Sequence, residues 1–214
     1  MPTRLDVPPT LRGGVVAVLR ADAADRYAPV VRVLADSGIC SIELTMSTPG
    51  TLDVLTDLRA QIAGSKADLG VGTVPDVATA RQALDLGADF LVTPAVDTAI
   101  VEAAVDRGVP VYPGALTPTE VSTAWRAGAT AVKLFPASTV GPSYLSHLRG
   151  PFPHIPILPS GGFGVAEIPV WMGAGAIAVS MGSSLLGDAL RGGSLTDLAR
   201  RCRDAVAATG ASRP

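Results

Sequence analysis

The stretch GATAVKLFP at residues 128–136 decides the reading of the fold. A glycine closes a helical pattern, and a short apolar run without polar alternation follows it. A Gly just past a helix supplies the left-handed turn that returns the chain to a sheet. The same punctuation recurs outward in both directions: Gly38 precedes CSIELTM, Gly64 ends a helical stretch, Gly87 precedes ADFLVTP, Gly108 precedes VPVYPGA and Gly175 precedes AIAVSMG. Intervals between these glycines are 20 to 26 residues, except for 47 between Gly128 and Gly175, close to two units.

Eight apolar runs follow from this division: 15–20, 41–46, 69–74, 89–94, 109–114, 131–136, 155–160 and 176–181. Short apolar runs of this kind belong to parallel strands covered on both faces by helices. Eight strands alternating with helices predict an α/β fold, a single-domain (β/α)8 TIM barrel over residues 13–208. A doubly wound sheet is the competing architecture, but LRAD at 19–22 lacks the Gly-rich turn such a fold places after its first strand. Residues 1–12 read as a peripheral N-terminal extension and 209–214 as a C-terminal tail.

Composition narrows the function. The 214 residues carry 17 basic and 19 acidic groups and are 48% apolar, so one core forms without a disulfide or metal staple. The balance lacks the basic footprint of a nucleic-acid or bilayer partner. Two cysteines are too few for a disulfide framework and point to a reducing, cytoplasmic setting. Residues 168–187 run uncharged for twenty positions, but their four Gly, one Pro and three Ser read as helix end, buried strand and loop, not as a membrane span. No signal-peptide core is expected, because the early run at 15–19 is too short.

Residue usage then isolates the chemistry. Arg outnumbers Lys 15 to 2, leaving Lys66 in a loop and Lys133 within AVKLFP. Arg stays protonated in a protein, whereas a desolvated lysine can present a neutral amine to a carbonyl. Strand alternation sets Lys133 on the face of Ala131 and Phe135, the interior of a barrel. An edge-strand lysine facing water is the competing reading, and a closed barrel has no edge. Of the four glutamates, Glu102, Glu120 and Glu167 lie in helical segments, while Glu43 sits mid-strand in SIELTM and points inward. A carboxylate beside an interior amine supplies acid and base work on a covalent intermediate; a structural ion pair is the alternative. Gly- or hydroxyl-rich turns at 70–73 (GVGT), 159–162 (PSGG) and 181–184 (MGSS) sit at strand carboxyl ends, and the last two occupy the usual barrel phosphate position. Arg20, closing the first strand, is a candidate for a second anion.

Other motifs fail. GAGAIA at 173–178 fits a dinucleotide pattern but opens a strand after a helix, the reverse of the required order. His147 and His154 have no companions of metal-site spacing, so no metal and no cofactor are expected.

The segments IELTMSTPG, GVGTV, VTPA, YPGALTPTE, VKLFPAS, GPFP, PSGG and MGSSL occur in order along the chain. Together they resemble the 2-dehydro-3-deoxy-6-phosphogluconate (KDPG) and 4-hydroxy-2-oxoglutarate (KHG) aldolases across residues 13–208. The resemblance implies a class I, metal-free lyase of the Entner-Doudoroff route, a homotrimer, acting on a small phosphorylated 2-oxo-3-deoxy sugar acid and releasing pyruvate. By motif, Lys133 resembles the Schiff-base lysine and Glu43 the general acid and base. Thr73 matches the carboxylate contact, Pro94 and Phe135 the pyruvate pocket, and Ser160, Gly161, Gly162 and Ser183 the phosphate end. Ser47 stands where many members place a substrate-contacting arginine, which shifts weight onto Thr73 and Arg20. Ser160 replaces a usual threonine and keeps the hydroxyl. Gluconate or galactonate preference stays open, and a phosphate-binding isomerase or epimerase and a non-catalytic barrel are the other function classes.

Overall fold

A computed structural model describes residues 4–210. Residues 1–3 and 211–214, parts of the expected extension and tail, lie outside the described residues. The strands are β1 (Val15–Leu19), β2 (Ser41–Thr45), β3 (Asp68–Gly72), β4 (Leu91–Val92), β5 (Val111–Tyr112), β6 (Gly114–Ala115), β7 (Val132–Leu134), β8 (Ile157–Pro159) and β9 (Val179–Met181). The helices are α1 (Tyr27–Asp36), α2 (Thr51–Ile62), α3 (Val77–Asp85), α4 (Thr98–Asp106), α5 (Pro118–Ala127), α6 (Gly141–Leu148), α7 (Ile168–Gly173), α8 (Ser183–Leu186) and α9 (Leu195–Ala208).

Local chemistry accounts for these elements. The α5 helix starts at a reciprocal cap: Thr117 Oγ1 accepts from Glu120 N, while Glu120 Oε2 accepts from Thr117 N at 2.7 Å. Pro118 occupies the first turn, and Gly128 ends the helix in the left-handed region (φ 109°), the turn anticipated from GATAVKLFP. The α7 helix, β9 and α8 divide residues 168–187 as the glycines require, and among the described residues no helix is long and apolar enough to cross a membrane.

Every strand pairs in parallel, in the order β5-β4-β3-β2-β1-β9 in one sheet and β6-β7-β8 in another. The α/β class with parallel strands therefore holds, but the ladder is two open sheets where a single closed eight-stranded one was expected. Part of the reason lies in the fifth run. Pro113 has no N–H to donate and splits it into β5 and β6. The sheets meet at two seams: Lys133 N donates to Pro113 O at 2.9 Å, and Ile177 N donates to Ile157 O at 3.0 Å. An isolated parallel bridge joins Ser160 to Ser180 at the second seam.

Alternation along the strands sorts the core into two layers. Val15, Ala17 and Leu19 of β1, Ile42 and Leu44 of β2, and Val132 and Leu134 of β7 pack outward with helix residues such as Tyr27, Leu34 and Leu55. Val16, Phe90, Val92, Tyr112, Ala131, Leu158 and Ala178 form a separate inner cluster. The N-terminal segment, read as peripheral, contributes Val7 and Leu11 to that inner cluster. Its apolar side chains fill space between the strands that no helix covers, a role that a strand-and-helix reading has no place for.

Candidate active site

Residues with odd parity relative to the outer layer face the inner cluster's side. Lys133 lies between Val132 and Leu134, and Glu43 between Ile42 and Leu44, so both point inward as the strand alternation predicts. Lys133 Nζ lies 3.8 Å from Glu43 Oε1, with side chains 8% and 1% exposed. Neither Glu43 oxygen has a hydrogen-bond partner. Attraction across this distance is of order 4 kcal/mol at an effective dielectric of about 20. Desolvation costs several kcal/mol per buried ion, so the pair is no net stabiliser of the fold. Buried, under-satisfied titratable groups facing a cavity mark sites of chemistry.

Glu43 has room because of Gly72. A Cβ there would lie 1.9 Å from Glu43 Oε1, and a Cβ on Gly70 would lie 2.4 Å from the Phe90 ring. GVGT at 70–73, which falls in the expected strand run 69–74 and also read as a turn at its end, is mostly strand: Gly70 and Gly72 belong to β3 and leave space on its inner face. Thr73 follows them with φ 56°, a left-handed conformation that a β-branched side chain adopts only at a cost of about 1–3 kcal/mol.

A cavity of about 390 Å³ gathers these groups with Arg20, Pro94, Phe135, Ser160, Gly161 and Ser183. Each follows the carboxyl end of a strand, where an α/β sheet carries its chemistry. The Phe135 ring centroid lies 5.3 Å from Lys133 Nζ, within reach of a cation–π contact. Ser160 Oγ donates to Ser180 Oγ at 3.2 Å, and Ser160 O accepts from Ala137 N at 2.9 Å, which ties the β8 exit to the β7 exit. Arg20 stands beside Ala21, whose N–H donates to Thr48 Oγ1 at 3.0 Å, joining the β1 and β2 exits. A larger cavity, about 1000 Å³, opens where β1, β2 and β3 begin, around Gly14, Cys40, Lys66 and Ala67, and includes neither Glu43 nor Lys133.

Two candidates stand apart. Ser47 is exposed, donates to Thr45 Oγ1 at 3.1 Å and does not line the cavity. Gly162 is also off the lining; its φ is 84°, and a Cβ would lie 2.1 Å from Ser138 Oγ, so it shapes the turn that presents Gly161. The structure adds Val18, Asp22, Leu186, Leu190 and Arg191 to the lining. Arg191 carried no signal in a chain with 15 arginines; its position in LRGG after the last strand was the one cue.

A family model for aldolases, the KDPG and KHG aldolases, matches residues 10–200. A probable 2-dehydro-3-deoxy-6-phosphogalactonate aldolase of Rhizobium meliloti (strain 1021) is 31% identical over 183 residues, 85% of each chain. The 2-dehydro-3-deoxy-phosphogluconate aldolase of Haemophilus influenzae (strain ATCC 51907 / DSM 11121 / KW20 / Rd) is 32% identical over 172 residues, 79% of each. A solved structure of native KDPGal aligns with a TM-score of 0.84 at 28% identity, covering 97% of both chains. With these matches spanning the strands that carry Glu43 and Lys133, the chain belongs to the KDPG and KHG aldolase family and is a lyase.

Proposed function

We propose that the chain is a class I aldolase that cleaves 2-dehydro-3-deoxy-6-phosphogluconate to pyruvate and glyceraldehyde 3-phosphate, and 4-hydroxy-2-oxoglutarate to pyruvate and glyoxylate. The observation that carries this reading is the buried amine of Lys133, the one interior lysine among the described residues, set 3.8 Å from the buried carboxylate of Glu43, which makes no hydrogen bond.

The Lys133 amine attacks the C2 carbonyl, and loss of water leaves an iminium. Glu43 accepts the proton of the C4 hydroxyl as the C3–C4 bond breaks, and the electron pair of that bond flows into the iminium to form an enamine. Glyceraldehyde 3-phosphate departs. The proton held at Glu43 returns to C3, and water hydrolyses the resulting iminium to pyruvate and the free amine. The water lost on condensation is recovered, so the net reaction consumes none. Thr73 and Arg20 hold the substrate carboxylate, Pro94 and Phe135 wall the pyruvate end, and Ser160, Gly161 and Ser183 receive the phosphate through hydroxyl and backbone donors.

The galactonate epimer is the second reading. Two relatives at 31% identity are named for the phosphogalactonate acid, which differs at C4, the carbon whose hydroxyl Glu43 must reach. The two parallel sheets, hydrogen-bonded at both seams, serve as one (β/α)8 ring around this cavity. A homotrimer in the cytoplasm fits the family resemblance; a matching chain, at 28% identity, is a designed cage built by fusing symmetric oligomeric domains. Pyruvate release from each C4 epimer and from 4-hydroxy-2-oxoglutarate, followed with a coupled dehydrogenase, tests the proposal. Turnover of the gluconate acid supports the first reading, turnover of the galactonate epimer alone supports the second, and no turnover of any contradicts both.

A further inference from the structure

Two arginines line the candidate active site, Arg20 and Arg191, and among the described residues neither guanidinium makes an ion pair or hydrogen bond. Several other arginines are occupied: Arg59 pairs with Asp89 at 2.7 Å, and Arg201 donates to Leu185 O and Leu186 O, both at 2.7 Å. Those last two bonds matter for Arg191. They fasten the carboxyl end of α8 to α9, so the segment that follows Ser183 leaves from a fixed point. Ala189 and Leu190 are then buried, and Arg191 N donates to Asp188 O at 2.8 Å. The backbone around Arg191 is thus anchored on both sides while its guanidinium stays exposed on the cavity wall.

Charge on the wall leaves a role for it. Lys133 and Glu43 face each other, and Asp22 is the other acidic side chain on the lining, set against Arg20 and Arg191. The rim therefore carries one cation in excess. Arg191 sits on the segment that begins with Ser183, at the end of the cavity formed by the β8 and β9 exits, whereas Arg20 closes β1. We propose that Arg191 anchors the distal phosphate of the substrate and sets the preference for phosphorylated over unphosphorylated 2-oxo-3-deoxy acids. The proposal rests on the lyase reading for its substrate and on the geometry of the β9 exit for its site. A guanidinium matches a phosphate through two parallel N–H donors, and such a contact is strong for a surface group yet weakened by salt.

The test compares wild type, R191A and R191K on 2-dehydro-3-deoxy-6-phosphogluconate and on the same acid without its phosphate. R191A raises KM about 10-fold or more for the phosphorylated acid alone, and R191K recovers part of the loss. An equal change with both acids, or none with either, overturns the proposal. Calorimetric binding of glycerol 3-phosphate needs no turnover. R191A binds it at least about 10-fold more weakly than wild type if Arg191 is the anchor, and equal binding overturns it. A wild type that turns over neither acid but loses glycerol 3-phosphate binding in R191A removes the lyase reading and leaves the anchor standing.

Discussion

Gly72 and Glu43 share one space: a Cβ on Gly72 would lie 1.9 Å from Oε1 of Glu43 and 2.3 Å from its Cδ. Strand β3 therefore gives up a side chain so that β2 can hold a carboxylate inside. Gly72→Ala displaces Glu43, because β3 is hydrogen-bonded on both sides and cannot retreat. A displacement of about 1 Å at a reacting group costs on the order of 100-fold in rate. We expect kcat/KM to fall by about that factor, with a loss of about 1–3 kcal/mol in stability from overpacking. Kinetics and urea unfolding of the variant check both.

Glu43→Gln keeps the shape and removes the proton acceptor. General acid–base catalysis is worth about 10²–10⁴-fold, and kcat falls within that range. The variant also removes one partner of the buried Lys133–Glu43 pair, so stability falls by up to about 3–5 kcal/mol. Steady-state rates and a thermal midpoint measured on one preparation separate the two effects.

Thr73 is held at φ 56° on the cavity wall, an arrangement that trades backbone strain for a hydroxyl in place. Thr73→Gly releases the strain and loses the hydroxyl. Strain of about 1–3 kcal/mol less a glycine entropy cost of about 1 kcal/mol leaves a net gain near 1 kcal/mol. The thermal midpoint rises while KM for the 2-oxo acid increases; a lower midpoint would mean that Thr73 is not strained.

Acid sensitivity traces in part to the α5 cap. Glu120 accepts hydrogen bonds from Thr117 N, Leu116 N and Thr117 Oγ1, which hold its carboxyl below the ordinary carboxylate range. A depressed carboxyl contributes stability above its unfolded value and loses it as pH falls through the folded one. Wild type therefore loses more stability than Glu120→Gln between neutral pH and the bottom of the carboxylate range. Urea midpoints measured across that interval check the slope.

The inward placement of Lys133 and Glu43 could be read from the sequence because strand parity is a local rule: one residue's neighbours fix its face. The helix stops at Gly38, Gly64, Gly87, Gly108, Gly128 and Gly175 were local too, and all of them except Gly64 have positive φ. What escaped was non-local. The split at Pro113 depends on which strand needed the missing donor, and the burial of Val7 and Leu11 depends on an opening that only the assembled strands create. Gly70 and Gly72 fell within the expected strand run 69–74 yet also read as a turn, because a glycine spared for a neighbouring side chain carries the same letter as one spared for its φ. Ser47 followed the order of the chain into the site, yet its side chain turns back to Thr45.

The proposed lyase chemistry is covalent and runs through Lys133. Incubation with pyruvate and borohydride, intact-protein mass spectrometry and peptide mapping test it directly. One reduced adduct, located on Lys133, absent from Lys133→Ala and from Lys133→Arg, is the predicted result. An adduct on Lys66, or none on the wild type, would contradict it.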